Sequence, residues 1–372
     1  HSIHSVAATL NARHKEVVAP EKASEVLTVQ NHQNTGVPYP DIFPDMPEVE
    51  NYRDYNPESI TVELEPGLPI TFVRTHTYVQ MDNRVWVGKN PDNPLSIYSA
   101  AGSGNDYTSF INLAPGNYGA RIKNGIATTL AYTEQPICGD SKTLNDAITA
   151  QGKQEPIVLQ DSPEIKNGTT KTIDLVVFVA EQIFSGWKVP QVDPCQPEYF
   201  SQHEGITSMG AFVGEMLAQI EYCNQVVLNS EITNFRWNIA KIEVVPNSVF
   251  NTLDALYIET LYEMHNTGPL NKFCTKVMDD VGADMALMIS LSLKMECSGI
   301  AFVGGEECVV DYHCIASSTI HELGHNMGVL HDRATEGALT SDIKGYNYGY
   351  WIPYRAEGTN DSGDVMSLAY NR

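Results

Sequence analysis

One stretch of twelve residues constrains this chain more than any other. His321, Glu322, His325, Gly328, His331 and Asp332 stand in the order H-E-x-x-H-x-x-G-x-x-H-D. His321 and His325 are four apart, so on a helix they share one face and can reach one metal ion. Glu322 sits beside that face, where it can hold a water and take its proton. Gly328 can adopt positive φ, which ends the helix and turns the chain back. The turn lets His331 arrive as a third ligand from outside the helix. Three neutral imidazoles with one position left open form the donor set of a catalytic zinc site, not a structural one.

A bare H-E-x-x-H also occurs on solvated helix faces. The added glycine and third histidine at fixed offsets make the extended metzincin signature, which also calls for a Met-turn. Asp364, Val365, Met366 and Ser367 supply a candidate; taken alone, Met366 would read as core filler. The chain therefore resembles a metzincin metalloprotease over about residues 172–372, most closely at 299–332. Asp332, directly after the third histidine, is similar to the adamalysin/reprolysin branch.

The resemblance implies an α/β catalytic domain: a mixed twisted sheet with long helices, a zinc helix and a Met-turn. It implies Zn2+ on His321, His325 and His331, Glu322 as general base, and structural support from Gly328 and Met366. Gly299, Ile300, Ala301, Phe302, Val303 and Gly304 resemble the edge strand above the cleft. Free N–H and C=O groups on such an edge can take up an extended peptide by strand addition. Two departures stand out. Leu368 occupies the position where some metzincins place a further Tyr ligand, and Tyr370 lies beyond it, so no ligand role passes to Tyr370. Metzincin catalytic domains also run on into a further helix, whereas this sequence stops at Arg372, so its C-terminus reads as truncated.

Charge excludes some functions. With 23 Lys and Arg against 46 Asp and Glu, the formal net charge is −23, which disfavours nucleic acid and anionic membrane surfaces. No apolar run is long enough for a transmembrane helix. Nothing at His1 reads as a signal peptide; in a secreted protein it would already have been removed. Of the seven cysteines, Cys195, Cys223, Cys274, Cys297, Cys308 and Cys314 follow residue 172 and Cys138 precedes it. The even count predicts three disulfides after residue 172 and one leftover thiol.

Along the chain, residues 1–58 are polar and proline-rich and predict an irregular segment. Residues 59–140 predict a β-rich domain, with strands at 60–64, 69–73, 84–88, 95–98, 109–113, 118–122 and 128–132 separated by Gly, Asn and Pro turns. Such spacing suggests a small antiparallel sandwich or barrel. One reading is an independent β module; the other is an all-β inhibitory propeptide. Pro136, Ile137, Cys138 and Gly139 are similar to metzincin propeptide segments whose thiolate fills the fourth zinc position, although no Arg precedes Cys138. Residues 141–171 read as an exposed linker open to proteolysis. Lys166 and Lys171 would suit a trypsin-like activator, and Asn167, Gly168 and Thr169 form a glycosylation sequon.

From 172 to 372 an α/β pattern follows. Apolar strands are predicted at 173–180 and 286–291 and an alternating one at 237–245, with a helix over 253–264. Phe212, Val213, Met216, Leu217, Ile220, Cys223 and Val227 recur at helical spacing and predict a long helix on that sheet. Cys308 and Cys314 could pin the loop before the zinc helix. Asn360, Asp361, Ser362, Gly363 and Asp364 could hold Ca2+, with a solvated acidic loop the stronger alternative.

Together these features describe a secreted, monomeric zinc endopeptidase zymogen acting on protein or peptide substrates, with its own propeptide as intramolecular inhibitor. The competing class is a non-catalytic secreted binding or adhesion protein that uses the zinc fold as a scaffold for the β module.

Overall fold

Turn-punctuated strands at the N-terminal side build a single antiparallel meander. A computed structural model describes residues 56–65, 68–103, 106–113, 116–123, 126–132, 170–184, 209–230, 232–292, 299–332, 348–349, 351–352 and 362–363. In it β1 (Ser59–Glu65), β2 (Leu68–Gln80), β3 (Asn83–Lys89), β4 (Ile97–Ser103), β5 (Asp106–Leu113), β6 (Gly116–Lys123) and β7 (Ile126–Tyr132) pair in chain order. A sandwich or barrel was expected from the strand spacing; the strands instead form one seven-stranded sheet. Phe72, Trp86 and Tyr98 are buried in it, their rings 5.6 Å apart along Phe72–Tyr98 and Trp86–Tyr98.

This sheet is not an all-β domain. Its compact unit also takes in α1 (Met209–Asn229), which packs on β3, β4 and β5. The sequence placed this helix on the sheet of the C-terminal region. Its apolar spacing is real, and Phe212, Met216, Ile220 and Cys223 are buried. The stripe that meets the meander is a different one: Gly214, Ala218, Glu221 and Asn229. A Cβ on Gly214 would stand 3.1 Å from the carbonyl oxygen of Ala101. The Ser99 hydroxyl donates to the Ala218 carbonyl at 2.8 Å.

The second unit holds β8 (Lys171–Ala180), β9 (Phe235–Val245), β10 (Met285–Ser290), β11 (Gly299–Ala301) and β12 (Glu307–Asp311), in the spatial order β11-β12-β10-β8-β9. The strands are parallel except β11, which pairs antiparallel with β12 at the edge. Every residue of β10 and the last six of β8 are buried, as a parallel sheet covered on both faces requires. α2 (Tyr257–His265) and α3 (Pro269–Val281) cover one face, where Phe178, Leu261, Met264, Leu270 and Met288 meet.

Two elements here escaped the sequence reading. β12 occupies a stretch read as loop, and α3 carries Pro269 at its start and Gly282, with φ 66°, at its end, the usual asymmetry of helix termini. The three expected disulfides are also corrected. Cys223 and Cys274 are free, buried thiols, and no bridge joins any two of Cys223, Cys274, Cys308 and Cys314. Cys223 lies on α1 in one unit and Cys274 on α3 in the other. Of the acidic stretch proposed for Ca2+, Ser362 and Gly363 form a short strand paired with Trp351–Ile352; Asn360, Asp361 and Asp364 lie outside the described residues.

Candidate metal centre

The zinc-motif stretch folds as the spacing predicts. α4 (Ile315–Asn326) carries His321, Glu322 and His325. It ends in a Schellman turn: the Val329 N–H donates to the Gly324 carbonyl at 3.0 Å and the Gly328 N–H to the His325 carbonyl at 2.8 Å. Gly328 takes φ 86°, the left-handed region where a Cβ is costly. The reversed chain then enters β13 (Leu330–Asp332), which brings His331 back toward the helix.

The three imidazoles converge. Their Nε2 atoms stand 3.2 Å apart for His321–His331, 3.2 Å for His321–His325 and 3.0 Å for His325–His331, and all three residues are buried. Donor nitrogens of a tetrahedral zinc site, at about 2.0–2.1 Å from the metal, stand about 3.3–3.4 Å apart. The triangle therefore needs to open by only a few tenths of an ångström, and the donor set fits one metal ion. On His325 the other ring nitrogen settles the tautomer: Nδ1–H donates to the Val329 carbonyl at 2.7 Å, which leaves the Nε2 lone pair facing the centre. Burial, with His321 and His331 close by, holds the His325 imidazole well below its usual 6.5. It therefore stays neutral, as a metal ligand must.

Glu322 is fully buried and lies against β11. A Cβ built on Gly299 would stand 2.6 Å from Glu322 Oε1, 2.7 Å from its Cγ and 2.9 Å from its Cδ. Only glycine lets the carboxylate rest there.

The edge strand is shorter than the resemblance implied. β11 ends at Ala301, and Phe302, Val303 and Gly304 enter a turn in which Gly304 has φ 71°. That turn is tied down rather than presented along its whole length. The Gly304 N–H donates to the His325 carbonyl at 2.8 Å. The Phe302 ring centroid lies 5.0 Å from that of His265 and 6.0 Å from that of Tyr262.

Sequence reasoning missed Asn326. Its Nδ2 donates to the carbonyls of Phe302 at 3.1 Å and Glu307 at 2.9 Å, joining the end of α4 to both sides of the β11–β12 turn. In sequence an Asn there reads only as a helix-end residue. Cys138 and Met366 lie outside the described residues, as does the Asp332 side chain.

No protein-family model matches this chain, and no curated protein matches it. Among solved structures, a chaperone–substrate complex is similar over 73% of this chain, with TM-score 0.37 and 12% identity. The chain spans 32% of the length of that structure's chain. Metalloproteinase-II from Bacteroides fragilis is similar over 74% of this chain and 81% of its own, with TM-score 0.39 and 9% identity. At scores this low neither likeness carries an argument. The buried three-histidine group and the mixed α/β sheet stand on the geometry alone.

Proposed function

We propose that the chain is a secreted zinc endopeptidase of the metzincin type, adamalysin/reprolysin-like, made in latent form. One observation carries the reading: the helix that carries His321 and His325, beside which His331 converges, also seats the Glu322 carboxylate on the first residue of the edge strand. A zinc ion on His321, His325 and His331 would supply the Lewis acidity that acidifies a water and polarises a scissile carbonyl. Glu322 takes the proton from the water and returns it to the leaving amine. Gly299 keeps room for that carboxylate, and the β11 edge aligns an extended peptide past it. Gly328 positions His331, and the resemblance gives Met366 the role of structural support. In the latent chain the Cys138 thiolate would serve as a further ligand to a bound zinc and so exclude the reacting water, and a cut within 159–171 would start activation. Lys171 is a poor point for that cut, because its N–H already donates to the Asn234 carbonyl within β8; Lys166 suits it better. The strong negative charge fits a soluble extracellular monomer with protein substrates.

Elemental analysis of parent, Glu322→Ala and His325→Ala proteins, beside casein hydrolysis after cleavage, tests this. The parent holds about one zinc per chain, as a three-histidine site should. Glu322→Ala keeps zinc and loses hydrolysis, and His325→Ala loses both. Hydrolysis by Glu322→Ala at the parent rate would remove Glu322 as the base, and no hydrolysis by the cleaved parent would leave the binding-protein alternative. Latency is read separately: Cys138→Ala gives activity in the uncut chain, and a variant as silent as the parent removes the thiol from the lock.

A further inference from the structure

We infer that the seven-stranded meander is not a detachable module: it is completed by α1, so β1–β7 stay bound to the downstream chain after the backbone is cut between residues 133 and 170. The inference rests on the proposed activation only for such a cut being physiological; the association itself does not depend on it.

The argument starts from chain order. β1–β7 end at Tyr132, and α1 begins at Met209, beyond both the linker and β8. Yet α1 belongs to the meander's compact unit. A cut in the linker therefore parts the strands from the helix that covers them, and among the described residues only non-covalent contacts remain to hold the two.

Those contacts are specific. At the centre, Glu221 is 2% exposed. Its Oε1 lies 3.0 Å from His76 Nε2 and accepts from Gln225 Nε2 at 2.9 Å, and its Oε2 accepts from the Tyr78 hydroxyl at 3.1 Å. His76 and Tyr78 both stand on β2, more than a hundred residues upstream. A buried carboxylate is tolerated only where donors replace its water, so removing β2 would strand it. At one end of the stripe the approach is close: Gly214 lies under the Ala101 carbonyl and Ala218 accepts from Ser99. At the other end, Asn229 donates to the Leu95 carbonyl at 3.3 Å and accepts from Lys89 Nζ at 2.8 Å. Small residues, a carboxylate and amides along one stripe make this a keyed surface, matched to this sheet and poorly suited to another apolar face. Cutting the tether turns the association from intramolecular to bimolecular but changes none of these contacts. Activation would then proceed with the N-terminal fragment retained as a second chain rather than discarded.

The test uses the full chain with a recognition sequence for a highly specific protease inserted after Ser162. After complete cutting, verified on a denaturing gel, the two fragments are run on a native size-exclusion column. Co-elution as one 1:1 species is expected. Separation into two peaks overturns the inference. Two variants then ask whether α1 is the holder. Gly214→Leu forces the helix off β4, and Ser99→Ala removes one buried bond with little change of shape. Gly214→Leu should weaken retention in the cut chain at least tenfold and Ser99→Ala measurably less. Because Gly214→Leu could misfold, zinc content of its uncut chain is compared with the parent, since the metal centre lies in the other unit. Undiminished retention in both variants overturns the inference, because another contact would be holding the fragment. Peptide hydrolysis is scored separately in the cut, co-eluting species that carries Cys138→Ala, where that thiol cannot hold the metal: its absence speaks against the peptidase reading and leaves the retained-fragment result standing.

Discussion

Replacing Gly299 by alanine tests the link between the edge strand and the proposed base. The added methyl group would lie 2.6 Å from Glu322 Oε1, 2.7 Å from Cγ and 2.9 Å from Cδ. Comfortable contact between such atoms begins near about 3.5 Å, so the carboxylate must retreat by about 0.9 Å. All three of these nearest atoms belong to Glu322 and none to a histidine, so the metal centre itself is spared. Misplacing a catalytic group by about 1 Å costs about 10²-fold in rate, which is about 2.7 kcal/mol of barrier. The strand's own N–H and C=O groups are unchanged, so peptide uptake along the edge is preserved. Gly299→Ala should therefore lower kcat by about 10²-fold while KM and zinc content stay near the parent values, read by peptide hydrolysis beside elemental analysis. Parent-level kcat would refute the seating argument. So would a fall in activity that merely follows lost zinc, since the defect would then lie at the ligands.

Three further outcomes follow from the same geometry. Asn326→Ala removes the donor to two carbonyls and should cost about 2 kcal/mol of stability, seen as a lower thermal midpoint; an unchanged midpoint would mean the turn holds itself. In metal-free protein the depressed His325 imidazole binds its proton less readily when folded than unfolded. The sign is therefore one of stability present above about pH 6.5 and lost as pH falls below it; thermal unfolding from about pH 8 to about pH 5 should show this slope, flattened in His325→Gln. Burial pushes the Cys274 thiol up to about 12 and raises Cys223 further, so iodoacetamide without reductant should label neither in the native protein and both after denaturation. Failure to label them in the unfolded chain would restore the disulfides.

The zinc motif was readable because metal chemistry fixes residue type and spacing together. A helix repeat and one left-handed glycine are enough to bring His321, His325 and His331 to a point. The meander strands were readable for a similar reason, since turn residues bracket each one locally. What stayed hidden depends on contacts between distant segments. The apolar spacing of α1 shows that Phe212, Met216 and Ile220 are buried, but it says nothing of the stripe at Gly214, Ala218 and Glu221, whose burial comes from small size and satisfied polar groups. Glycine at 299 signals a strand edge in sequence, and only the fold shows that a carboxylate lies on it. An even cysteine count predicted bridges, yet a thiol can be buried as a small apolar group, as Cys223 and Cys274 are.

The order in which this chain is made bears on α1. The strands β1–β7 leave the ribosome first, and the helix that covers β3–β5 is complete only about a hundred residues later, at about 5–20 residues per second. For roughly 5–20 seconds the nascent meander therefore lacks its cover, with Ser99 and Ala101 of β4 open to other partners. Those residues are small and the strand is short. The same face also carries Val85, Val87 and Phe110, registered beside Ala101 and Ser99 and buried in the finished fold, so until α1 arrives the sheet holds open an apolar surface of the kind that drives wrong association.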